Sequence, residues 1–451
     1  MSTYSIPSRQ RTLLFAGMGV GLVCLVLSWF FDHSGHHMRF WTNFLHNSVF
    51  FTGIALMAIF FYAVCNTAWA GWHVQFKRVW EAMSMFLGVG LILMGVVAVG
   101  LMFDMHHLYH WADDASIETD KILKHKSTFL NKGWYLVSIA CIAVWFFFAV
   151  RLRKLSVTED SLGGLKDFSH HIKTRYWTAA LLPIVGFTSC LVIWQWVMSI
   201  DAHWYSTLFA WYSGASLFVS MIAMTILVLI FLKSQGYYPN VSLEHFHDLG
   251  KFMFAFSIFW TYLWFSQYML IWYSNNGEET VYFNTRQDQY PVLFYANLAI
   301  NFLVPFFILM RNDTKRKFGS LITVALIVIF GHWLDFFLMI KPGALHTVHE
   351  LSGHGDHHGH GGAMPDAHGD ATHHAGEAGH HAEAAAGHGA DMAHGAASTF
   401  EAGFSMPGFL EFGTMVGFLC LFLYVMYASL SKANLIAKND PYLSESLHHH
   451  V

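Results

Sequence analysis

The chain has 451 residues, of which 55% are hydrophobic and 12% charged, with a formal net charge of −4 at pH 7. A soluble globule carries about 25% charged residues, so an ordinary water-soluble enzyme is excluded. No basic patch with interleaved aromatics is present, which removes nucleic acid as a partner and leaves the lipid bilayer.

A membrane-crossing helix needs roughly 20 consecutive apolar residues. Ten stretches qualify: 12–31, 42–64, 82–103, 133–150, 177–200, 205–232, 250–273, 291–311, 318–341 and 408–430. None alternates as a strand of an outer-membrane barrel would. The predicted fold class is therefore an all-α integral membrane protein with ten transmembrane helices. The first stretch is too long for a signal-peptide core and lacks a small-residue cleavage site, so it reads as a retained helix. Lys and Arg gather at the N-terminus, in the loops after spans two, four, six and eight, and at the C-terminus. Arg151, Arg153, Lys154, Lys315, Arg316 and Lys317 carry much of this bias. The positive-inside rule then places both termini in the cytoplasm. Lys121, Lys124, Lys126 and Lys132 run against it, on the outer loop after span three.

Four units follow along the chain: a membrane domain over 1–345, a histidine-rich outer loop over 346–402, a tenth helix over 403–431 and a cytoplasmic tail over 432–451. Loop 104–132 contains an acidic-to-basic stretch that suits a short surface helix, and loop 274–290 reads as a turn. The 346–402 stretch has almost no large apolar residue before Phe400, so disorder is expected. His357, His358, His373 and His374 offer at most a loose, unselective metal site there, and a low-complexity linker is the simpler reading.

Cys24, Cys65, Cys141, Cys190 and Cys420 all lie within or at the end of apolar spans, without metal-ligand spacing. They read as small packing residues, with neither covalent haem nor iron–sulfur ligation. Gly17, Gly19 and Gly21, like Gly88, Gly90, Gly95 and Gly100, suit close helix approach rather than phosphate binding.

The polar residues inside the spans carry the chemistry. Asp335 and His332 lie three apart on one face of span nine. A charged Asp at that depth costs roughly 3 kcal/mol. It must pair, reach water or stay protonated; the plain alternative is a neutral Asp bonded to His332 as helix glue. Asp201 and His203 end span five, fenced by Trp194, Trp196 and Trp204. They read either as a functional pair or as an interfacial anchor. His46, Asp104 and Glu411 lie towards the same outer half, and Glu81, His245 and Asp248 towards the inner side. Between them Asn297, Asn301, Ser266, Gln267, Thr188, Ser189 and Gln195 can hold waters. The pattern is compatible with a proton route. A b-type haem would need His46 and His332 as its axial pair. A secondary transporter is the other class, through the helix interruptions at Pro183 and Pro305.

Asp201-Ala202-His203-Trp204-Tyr205-Ser206-Thr207, the run from Asp248 to Phe256, the aromatic run from Phe259 to Tyr273 and Glu278-Glu279-Thr280 together resemble the second NrfD/PsrC-like membrane subunit (the ActF type) of bacterial Alternative Complex III. The resemblance covers the ten spans and not the histidine-rich loop. It implies two four-helix bundles, spans two to five and six to nine, with flanking helices. It implies a subunit without redox centres in a bacterial inner-membrane complex that oxidises quinol and passes electrons to cytochrome c or a terminal oxidase. Haem c and iron–sulfur clusters would belong to partners: an iron–sulfur subunit and multihaem and monohaem cytochrome c subunits, beside a paralogous NrfD-like membrane subunit. That paralogue is the stronger candidate for the quinol pocket. A quinol site of this chain's own, from Asp201, His203 and Trp204, is the alternative.

Overall fold

The computed structural model describes residues 3–32, 37–161, 168–355 and 403–449, with 114, 115, 119 and 350–355 described by their backbone alone. The long helices are α1 (Ser8–Phe30), α2 (Met38–Thr67), α3 (Lys77–Met102, interrupted at Met85) and α4 (Lys132–Ser161). They continue with α5 (Ser169–Trp196), α6 (Leu208–Ser234) and α7 (Leu243–Ser274). The rest are the shorter α8 (Gly277–Gln289), then α9 (Pro291–Leu309), α10 (Phe318–Gly355) and α11 (Phe409–Leu430). Among the described residues no strand is present beyond one isolated bridge, Thr3 to Asn434.

Nine of these helices are long and apolar enough to cross a membrane, one fewer than the ten spans expected. The one that falls outside is α7. It is 32 residues long, but Trp260, Tyr262, Trp264, Tyr268, Trp272 and Tyr273 end in polar atoms that lower its hydropathy.

Helices α2, α3, α4 and α5 pack in one ring, and α6, α7, α9 and α10 in a second. Helix α2 joins the rings by packing on α6 and α10, which explains why 89% of its apolar window is buried against 28% for α1. The outer pair, α1 and α11, cross through small residues. A Cβ on Gly21 would lie 2.3 Å from the Gly417 Cα, while Gly17 faces the Cys420 Sγ and Gly413 the Cys24 Sγ. Two of the cysteines are thus packing residues opposite glycines, as small-residue crossings require.

Two loops differ from expectation, and in 104–132 the expected short helix forms as two pieces. The 274–290 stretch is not a simple turn but contains the 13-residue α8. Asn275 in the left-handed region ends α7, and Glu278 and Glu279 complement the positive end of α8. In 104–132 two short helices form, Asp114–Thr119 and Lys121–Lys126, each capped by an Asp (Asp113 and Asp120). Helix α10 runs to Gly355, ten residues into the stretch expected to be disordered, because Ala344, Leu345 and Val348 prolong its buried face. His357, His358, His373 and His374 lie outside the described residues.

Residues 432–449 fold back over the face that carries the N-terminus. Lys77 bonds Asp440, Gln75 bonds Ser446, and His449 bonds Asp248.

Gly21→Leu is expected to force α1 off α11 and cost about 2 kcal/mol, the usual penalty for overpacking. Gly19, with open space beside it, should accept Leu without effect. Thermal unfolding in detergent checks the pair; equal stability of both variants would contradict this crossing.

Candidate functional site

Asp335 has no solvent exposure and sits where the four helices of the second ring meet. Each of the other three supplies a donor. The Tyr212 hydroxyl of α6 and the Asn297 amide of α9, at 2.8 Å, bond Oδ1. The Trp260 indole of α7 bonds Oδ2 at 3.0 Å. No ion pair to Asp335 is found among the described residues. A buried carboxylate without a counterion depends on such donors.

The backbone of α9 is shaped for this. Pro305 cannot donate to the carbonyl four residues back, that of Asn301, and its ring crowds that carbonyl. Residues Ala299–Leu303 accordingly form a π segment. Asn301 lies in it and donates to the Asn297 Oδ1 at 2.6 Å, which orients the Asn297 amide on Asp335.

His332, one turn earlier on α10, does not bond Asp335. Its Nδ1 lies 3.0 Å from the Ser216 hydroxyl of α6, and its Nε2 has no partner among the described residues. The expected Asp335–His332 glue is therefore replaced by donors from other helices. The Gln267 Nε2 and Asn301 Oδ1 are likewise buried without partners. A cavity of about 20 Å³ adjoins Asp335, Asn297, Gln267 and Tyr212, enough space for one water.

Arg286 and Tyr282 of α8 line this cavity and also a second one of about 370 Å³ that carries Asp201, His203, Asp120 and Glu278. The buried Arg286 guanidinium lies on the lining of both. It donates to the Leu338 carbonyl at 3.0 Å, the Tyr282 carbonyl at 2.9 Å and the Asp201 carboxylate at 2.9 Å. Burial would lower its proton affinity, but the Tyr282 ring beside it and Asp201 outweigh this and hold it above its ordinary value.

Asp201 and His203 consequently do not act as a pair. Asp201 faces inward to Arg286, whereas His203 faces outward and bonds Asp120, Nε2 to Oδ2 2.5 Å. Burial raises the Asp120 carboxyl, but His203 and the amides of Ile122 and Leu123 outweigh it and leave it below its ordinary value. Trp204 stacks on Tyr282 with ring centroids 3.8 Å apart, which fixes the wall between the two cavities.

The remaining sequence-selected residues are dispersed. Asp104 is exposed and pairs with Lys132 at the surface. Glu411 accepts two bonds from Arg39 and one from Asn43, fastening α11 to α2. His46 bonds the Trp333 carbonyl and stacks on that indole, so it faces the join between rings while His332 faces into the second ring. On the N-terminal face Glu81 belongs to a cluster with Arg78, Ser156 and Asp160. His245 and Asp248 meet the tail instead, through Ser446 and His449.

Sequence reading missed Arg286, Tyr212, Trp260 and the buried Lys341, which donates to the Thr42 hydroxyl at 2.7 Å. Arg286 carried one signal, as a lone Arg on an acidic stretch. Tyr212 and Trp260 carried none, since aromatic residues are abundant in every span. No protein-family model matches the chain, and a search of curated proteins finds no match either.

Arg286→Met should destabilise the protein by about 3 kcal/mol, because it strands the Asp201 carboxylate. Asp201→Asn together with Arg286→Met should recover part of that loss in the same melting assay. The Asp120 contribution is present above the ordinary carboxylate range and disappears as pH falls below it. Amide protection over Lys121–Lys126, taken relative to the intrinsic exchange rate at each pH, should therefore fall in acid, and Asp120→Asn should abolish that change in protection.

Proposed function

We propose that this chain is an integral subunit, without redox centres of its own, of a quinol-oxidising respiratory complex in the bacterial inner membrane, and that its second ring handles protons. In this reading α7 also crosses the membrane and brings the spans to ten, both termini are cytoplasmic, and the 370 Å³ vestibule opens on the outer side. The ten-span, NrfD/PsrC-like arrangement draws support from the two rings of four helices flanked by α1 and α11. Haem c and iron–sulfur clusters come from partner subunits, and electrons end on cytochrome c or a terminal oxidase.

One observation carries the proton reading. Asp335 is a buried carboxylate held by neutral donors from three other helices, beside a water-sized cavity that shares Arg286 and Tyr282 with the lining of the vestibule. A group so placed can exchange a proton with the vestibule without becoming part of an ion pair. Quinol binding by Asp201, His203 and Trp204 is less well supported. Asp201 and His203 are already bonded to Arg286 and Asp120, and the Trp204 face is covered by Tyr282.

In proteoliposomes of the assembled complex, Asp335→Asn should lower the protons moved per electron while assembly and electron transfer persist. An unchanged ratio would leave Asp335 as a structural residue.

A further inference from the structure

The N-terminal face holds a second cluster, remote from Asp335, that the proton reading does not use. Glu159 at the end of α4, His171 at the start of α5 and Asp440 of the tail converge there. One ligand atom from each lies within 4.8 Å of the others. All three residues are buried, at 6, 8 and 3% exposure. Asp440 is fixed by Lys77 and by the Tyr442 amide. Glu159 and His171 have no side-chain hydrogen bond among the described residues; the His171 ring only touches Tyr442, with centroids 5.5 Å apart. Two polar side chains more than nine-tenths buried thus have their ligand atoms close together with no side-chain partner among the described residues.

Two of the three converging groups are carboxyls, which suits a cation as their partner.

We infer that Glu159, His171 and Asp440 form a binding site for a divalent cation of the zinc type, which staples the C-terminal tail to the ends of α4 and α5. Two carboxylates and one imidazole are the mixed oxygen and nitrogen set that Zn²⁺ accepts, with water completing a four-coordinate shell. A Ca²⁺ ion would need more oxygen ligands than these three residues provide. α4 and α5 already pack on each other and the tail joins them by its return, so the bound ion would hold the tail in place over the ends of α3, α4 and α5.

The test uses the full chain in detergent, loaded with Zn²⁺ and passed over a chelating resin, with zinc counted by plasma mass spectrometry. The wild type should retain one equivalent more than Glu159→Gln or His171→Gln, and His448→Gln should match the wild type. Loose binding by the other histidines is common to all four proteins and cancels in the difference. Equal zinc in the wild type and the two ligand variants would overturn the site. A Co²⁺-loaded wild type should also show the visible absorption of a four-coordinate ion. Its absence would overturn the site whether or not the variants fold.

Discussion

A carboxylate in the middle of an apolar helix must be given hydrogen bonds by the protein around it. Asp335 receives them from one residue on each of three neighbouring helices, Tyr212, Trp260 and Asn297. That requirement ties the second ring together more specifically than apolar packing can, because lipid tails compete with side chains for apolar contact. It also accounts for the irregular backbone of α9, where Pro305 opens a π segment and Asn301 steadies Asn297. Removing the Trp260 indole leaves the buried Oδ2 without its donor, an outcome more costly than the loss of one hydrogen bond in water.

The two faces of the molecule are organised by different means. On the vestibule side, α8 lies across the second ring and inserts Arg286, whose five donors suit two carbonyls and a carboxylate at once. On the N-terminal side the tail 432–449 supplies the partners, through Asp440, Ser446 and His449. Arg286 and Tyr282 line both the vestibule and the small cavity beside Asp335.

Much of the helical framework was legible in the sequence, because spans are set by length and apolarity. The exception, α7, is an aromatic-rich helix whose Trp and Tyr residues lower its hydropathy. Asp335 stood out as a buried acid by depth alone. Its partners did not, since which helix faces which depends on ring closure and not on local pattern. The proximity of Asp201 and His203 in sequence suggested a pair, but Asp201 lies at the end of a 3-10 turn and the two side chains diverge towards Arg286 and Asp120. Arg286 was hidden because the 274–290 stretch looked like a polar turn, and a short amphipathic helix there buries Tyr282, Phe283 and Arg286 together. The Glu159–His171–Asp440 cluster joins residues up to 281 positions apart and has no sequence signature.

The central claim is that Asp335 communicates with the vestibule through water held behind Arg286. A density map of the protein in a lipid environment, sharp enough to show ordered waters, tests it most directly. The account predicts a water between Asp335, Gln267 and Arg286, hydrogen-bonded to at least two of them. A dry cavity, or one closed by Leu338 and Met339, would contradict it.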